Sequence, residues 1–181
     1  STSAEPISDA LCLHAIRLIF KYLPIAVREP ENVDARGNML LASCIAGMGF
    51  SNSMTGAVHA LAHALGGQCG VPHGLANGIL LPHVMDFNVS ERPERFMMVA
   101  DAMGIPVDGM EPEAAGRLAV QAVKDLLKEV GLTQTLKDLG VPTDRESLKP
   151  LMELASGDSQ ITYNPRYCEE DDILDLYMKA L

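Results

Sequence analysis

The stretch Gly56-Ala-Val-His59-Ala-Leu-Ala-His63-Ala-Leu-Gly66-Gly67-Gln-Cys-Gly-Val71-Pro72-His73-Gly74 decides how the rest of the chain is read. Four residues separate His59 from His63, an offset of about 40° on a helix, so both imidazoles project from one face. The double glycine ends that helix in this reading, and the chain returns through a turn that carries His73. Gly74 adds no side chain to obstruct an approach to His73. Two ligands from a helix and one from the next turn are a workable way to build a histidine-rich metal site. Spacing alone leaves a second reading open, in which neutral histidines in a core hydrogen-bond carbonyl groups. A metalloprotease is excluded, because that signature needs Glu directly after the first His and here the position is Ala60.

Outward from this stretch, no Lys, Arg, Asp or Glu occurs between Arg36 and Asp86, although 21% of the chain is charged. Gly, Ala and Ser are frequent there and permit close helix approach, and the lack of charge predicts that both faces of these segments are covered. Four of the five histidines (His59, His63, His73 and His83) fall in this region. His83, in Leu81-Pro82-His83, reads as a supporting residue. A membrane hairpin is excluded in this reading because Gly66-Gly67, Pro72 and the histidines divide the stretch into pieces too short to span. No other apolar run reaches the ~20 residues a span needs.

Elsewhere, helical spacing dominates, and alternating strand patterns and hairpin signals are nearly absent. Ser8 is expected to cap a helix running to about Tyr22, with Pro24 and Pro30 bracketing a break. Further helices are predicted from about Val33 to Phe50, Glu91 to Met103, Pro112 to Val130, Asp144 to Ala155, and Glu170 to Leu181. The fold class is all-α, a single helical bundle over residues 1–181.

Composition narrows the function. With 14 basic and 24 acidic residues the formal charge is −10, and no basic stripe is present to neutralise nucleic-acid phosphates or to dock on an anionic membrane. Cys12, Cys44, Cys69 and Cys168 are scattered and form no CxxC pair, as expected of free thiols in a reducing compartment. With no secretory leader pattern at the start, the protein is expected in the cytoplasm.

Ala46-Gly-Met-Gly-Phe50-Ser-Asn52, the histidine stretch from Gly56, and Val71-Pro-His73-Gly-Leu-Ala-Asn77-Gly-Ile-Leu-Leu-Pro82-His-Val-Met-Asp-Phe-Asn88 together resemble the iron-containing, group III alcohol dehydrogenases. Pro6 to Arg17, and Asn164-Pro165-Arg166 ahead of an acidic-headed terminal helix, extend the likeness over essentially the whole chain. In that family an N-terminal α/β domain binds the nicotinamide cofactor and a C-terminal helical domain carries a divalent metal in the cleft between them. The resemblance implies His59 and His73 as metal ligands, His63 beside the metal as proton relay, and Phe50 on the substrate pocket. It also implies Fe2+ (or Zn2+ or another divalent ion), NAD or NADP, and a small alcohol or aldehyde substrate. One departure is Ala64, where many relatives carry Pro.

The family's other two ligands, an Asp and a His four residues apart, lie upstream of the segment matched here. Asp9 and His14 are not substitutes, because a spacing of five turns them about 140° apart on a helix. A glycine-rich phosphate loop is also missing. The chain is therefore expected to be the C-terminal part of such an enzyme without its nucleotide-binding domain, inactive alone and prone to homo-oligomerisation through uncovered apolar surface. Two rival readings remain at this point. One is the helical half of a metal-dependent lyase or synthase related to dehydroquinate synthase, and the other is a non-catalytic helical interaction module.

Overall fold

The computed structural model describes residues 1–181 as eight α-helices and three short 3-10 turns, with no strand. The all-α class follows. The helices gather into two compact units, one of residues 3–54 and 89–131, the other of residues 1–2, 55–88 and 132–181.

The first unit contains α1 (Pro6–Arg28), α2 (Val33–Ser53), α5 (Pro93–Ala102) and α6 (Pro112–Glu129). α1 packs on α2, and α5 packs on α6. Gly49 of α2 lies so close to α1 that a Cβ there would meet Cys12 Sγ at 2.5 Å, and any side chain would require Cys12 to move. Exposed ion pairs join Arg17 to Asp101, Arg28 to Glu129, and Arg95 to Asp9 within the unit.

Three expectations need correction here. Glu5, not Ser8, caps α1: its carboxylate accepts the Ile7 and Ser8 N–H groups, while Ser8 Oγ accepts the Glu5 N–H as the other half of a capping box. Pro24 lies buried inside α1, and the break comes only after Arg28. Proline removes one donor without stopping a helix that is held along its side. Finally, α1 does reach the length and composition of a membrane span, with mean hydropathy 1.6, because isolated charges interrupt an apolar run without lowering a helix-long average much.

The second unit contains α3 (Ala57–Cys69), α4 (His73–Asn88), α7 (Lys149–Ser156) and α8 (Glu170–Lys179). Its core is built from fully buried side chains that include Leu61, Leu65, Leu80, Leu151, Ile173 and Tyr177. The Tyr177 hydroxyl donates to Leu61 O (3.0 Å), tying α8 to the middle of α3. Burial pushes that phenol's pKa up, which keeps it a neutral donor.

The predicted stop at Gly66-Gly67 is also displaced. α3 runs on to Cys69 and ends at Gly70, whose φ of 68° is the left-handed conformation glycine adopts without strain. Gly70 N donates to Gly66 O (3.2 Å), the bond of an αL closure, and Val71 N donates to Leu65 O (3.4 Å). The predicted turn at His73 is instead the first residue of α4.

Candidate metal centre

α3 places His59 and His63 one turn apart, and the three-residue link Gly70–Pro72 brings His73 back beside them. Ring centres lie 6.0 Å apart for His59 and His63, 5.4 Å for His59 and His73, and 5.3 Å for His63 and His73. The three imidazoles predicted from the sequence therefore do cluster within the second unit.

The start of α3 is held by a buried amide network. Asn164 Oδ1 accepts the Ala57 N–H (3.3 Å) and Asn88 Nδ2–H (3.0 Å), while Asn164 Nδ2 donates to Asn88 Oδ1 (2.8 Å) and Arg166 O (2.7 Å). Both asparagine side chains are almost fully satisfied by these bonds, so α3 is fixed relative to the 3-10 turn that precedes Asn164. Arg166 adds a bond to Phe87 O (3.2 Å) and stacks over the Phe87 ring.

The imidazoles differ in their surroundings. His59 is half-buried, and burial, followed by repulsion from His73 and His63, lowers its pKa and favours the neutral ring. His63 is more open and its Nδ1 lies 2.7 Å from Asp158 Oδ2. His73 is exposed, and Asn77 one turn along donates from Nδ2 to His73 O (2.9 Å) and lies 3.2 Å from His73 Nε2. Asn77 Oδ1 is buried without a hydrogen-bond partner.

A divalent ion suits the His59–His73 pair in donor chemistry and separation. With imidazole nitrogens about 2 Å from a tetrahedral ion, two ligand rings would be centred roughly 5 Å apart. No group of three or more His, Cys, Asp and Glu side chains in the chain is placed to hold an ion. The residues present thus fit half of a coordination sphere, which is what two implied ligands amount to. Asp9 is engaged by Arg95, and neither Asp9 nor His14 belongs to the unit that carries the imidazoles.

Phe50 lies near the end of α2 in the other unit, with 47% of its surface exposed. His83 is half-buried on α4. The residues that sequence reasoning missed are Asp158 and Asn77. Asp158 is far from His63 in the chain and carries no motif of its own, so only the fold reveals it. Asn77 follows His73 by one helical turn, a signal that becomes readable once α4 is known to start at His73.

An all-helical unit that gathers three imidazoles, two of them on neighbouring turns of one helix, is the class these observations define. The chain belongs to the Fe-containing alcohol dehydrogenase family, whose C-terminal part matches over residues 1–181. It is 42% identical to 1,3-propanediol dehydrogenase of Citrobacter freundii over 181 residues, covering 99% of this chain and 46% of that protein. It is 41% identical to lactaldehyde reductase of Escherichia coli (strain K12) over 177 residues, covering 98% of this chain and 45% of that protein. The crystal structure of a 1,3-propanediol oxidoreductase superposes with a TM-score of 0.95 at 39% identity, over 100% of this chain and 47% of that one. The chain spans about half the length of the curated relatives it matches.

Proposed function

We propose that these 181 residues are the helical, metal-carrying part of an NAD(P)-dependent alcohol dehydrogenase that interconverts a small alcohol with its aldehyde or ketone in the cytoplasm. The observation that carries the reading is the convergence of His59 and His73, with ring centres 5.4 Å apart, in a chain of this family. His59 and His73 would hold the ion, Fe2+ or another divalent metal, through neutral imidazole nitrogens. Bound there, such an ion would supply Lewis acidity toward a substrate oxygen, and a nicotinamide would supply or take up the hydride. His63, beside the pair and exposed, accepts the hydroxyl proton during oxidation and returns it during reduction. Phe50 presents an apolar ring to the substrate's carbon chain. An N-terminal nucleotide-binding domain and the two further ligands implied by the resemblance complete the enzyme, and the assembly is a homo-oligomer.

Two imidazoles bind an ion weakly compared with four ligands. The 181-residue chain is therefore expected to bind Co2+ or Zn2+ measurably but weakly in a calorimetric titration, and to show no alcohol-dependent reduction of NAD or NADP. His59→Ala and His73→Ala should each abolish that binding without unfolding the chain, while His14→Ala should leave it unchanged. Metal binding that survives both substitutions would remove the basis of the proposal and favour a core role for the histidines.

A further inference from the structure

Asp158 stands at the cap of the 3-10 turn Ser159–Tyr163, and its two carboxylate oxygens are used differently. Oδ1 accepts the Gln160 N–H (2.8 Å), and Oδ2 faces His63 Nδ1 (2.7 Å). Gln160 is itself tied down, since its Oε1 accepts both the N–H and the hydroxyl of Thr55 (3.2 and 2.8 Å). The carboxylate is thus oriented by backbone and side-chain bonds before it meets the imidazole.

We propose that Asp158 is a positioning residue that locks His63 in its Nδ1–H tautomer and so leaves Nε2 as the ring's only proton acceptor. The reason is the hydrogen-bond inventory: an ionised carboxylate only accepts, so the ring nitrogen facing it must carry the hydrogen. Burial acts to protonate Asp158, but the Gln160 N–H and His63 outweigh it and hold the carboxyl below its ordinary pKa. The other rings near His63, those of His59 and His73, lie 6.0 and 5.3 Å away between centres, and neither offers a carboxylate's negative charge. This inference deepens the relay role assigned to His63 and rests on that reading for its catalytic meaning. In the oxidation direction the substrate O–H bond would break as an Nε2–H bond forms on His63, the hydride being taken up by the nicotinamide that the family reading implies.

The two fixed partners make the tautomer testable by a single substitution. In Asp158→Asn, the oxygen must stay toward the Gln160 N–H, which turns the amide NH2 toward His63 Nδ1. That nitrogen must then accept, and the ring proton moves to Nε2. Asparagine caps helical turns as well as aspartate does, so a purely structural role predicts no change at the ring. The experiment is a long-range 1H–15N correlation spectrum of the 15N-labelled 181-residue chain, with chelator present and pH high enough that the imidazoles are neutral. His63 signals are assigned by their loss in His63→Gln.

The wild-type chain should show a protonated Nδ1 and a bare Nε2. Asp158→Asn should exchange the two signal types, and Asp158→Glu, again acceptor-only, should restore the wild-type pattern. A wild-type ring protonated at Nε2, or an Asp158→Asn chain that keeps Nδ1–H, would overturn the proposal. The measurement is independent of turnover. If the tautomer switches as expected but His63→Gln retains full NAD(P)-dependent activity in a protein carrying the whole site, the relay reading falls and the positioning role of Asp158 stands.

Discussion

Two parts of the uncharged region between Arg36 and Asp86 look alike in sequence and differ in structure. In α3 and α4, residues such as Leu61, Leu65, Leu80 and Val84 are buried to 1% exposure or less. In α2, Leu40 is 75% exposed and Leu41, Met48 and Phe50 are each nearly half exposed, with only Ala35, Ala42, Gly49 and Ser53 buried along the helix. The prediction that both faces of the whole region are covered therefore holds for one half and fails for the other within this chain. A lack of charge reports that a helix avoids water, but it does not say which surface takes the water's place. In α3 and α4 the covering elements belong to the same chain, while α2 presents an exposed apolar face.

This contrast can be broken by mutation. The largest effect is expected from Leu80→Ala, which removes a fully buried side chain from α4 and should cost about 2–5 kcal/mol of unfolding free energy in urea. Asn164→Ala should come next. It leaves the Ala57 N–H and both polar ends of Asn88 without their partners, at a cost of about 1–3 kcal/mol, and should speed amide exchange at the start of α3. The smallest effect belongs to Leu40→Ala, the equivalent truncation on α2, which should change stability by no more than about 0.5 kcal/mol. If Leu40→Ala proved as costly as Leu80→Ala, the exposed face of α2 would be packed in solution and the distinction between the two regions would disappear.

The helix boundaries show the same division between local and distant information. α6 was legible almost to the residue, because Pro112 opens it, its apolar stripe is regular and Gly131 follows it. α4 was not legible as a helix. Its residues are apolar on every side, so no periodicity separates a buried face from a wet one, and Pro82 lies within it. The end of α3 was misplaced by three residues because Gly66 and Gly67 are glycines a packed helix tolerates, whereas Gly70 is the one whose backbone takes a positive φ. At the site, the pairing of His59 and His63 was legible from a spacing of four, and the link to His73 from the short return that follows their helix. The network of Asn164 with Asn88 and Ala57 was not, since its members lie 76 and 107 positions apart.

By itself, the order of residues determined the all-helical class and the three imidazoles brought within reach of one another, because helical periodicity, capping and short turns act over a few neighbouring positions, while the motif string from Ala46 to Asn88 carried the resemblance to the family. Tertiary structure alone decided which uncharged helices are enclosed, where the amide lock on α3 sits, and that a carboxylate 95 positions away faces His63. Those features depend on contacts between distant segments, and such contacts exist only after the chain has folded.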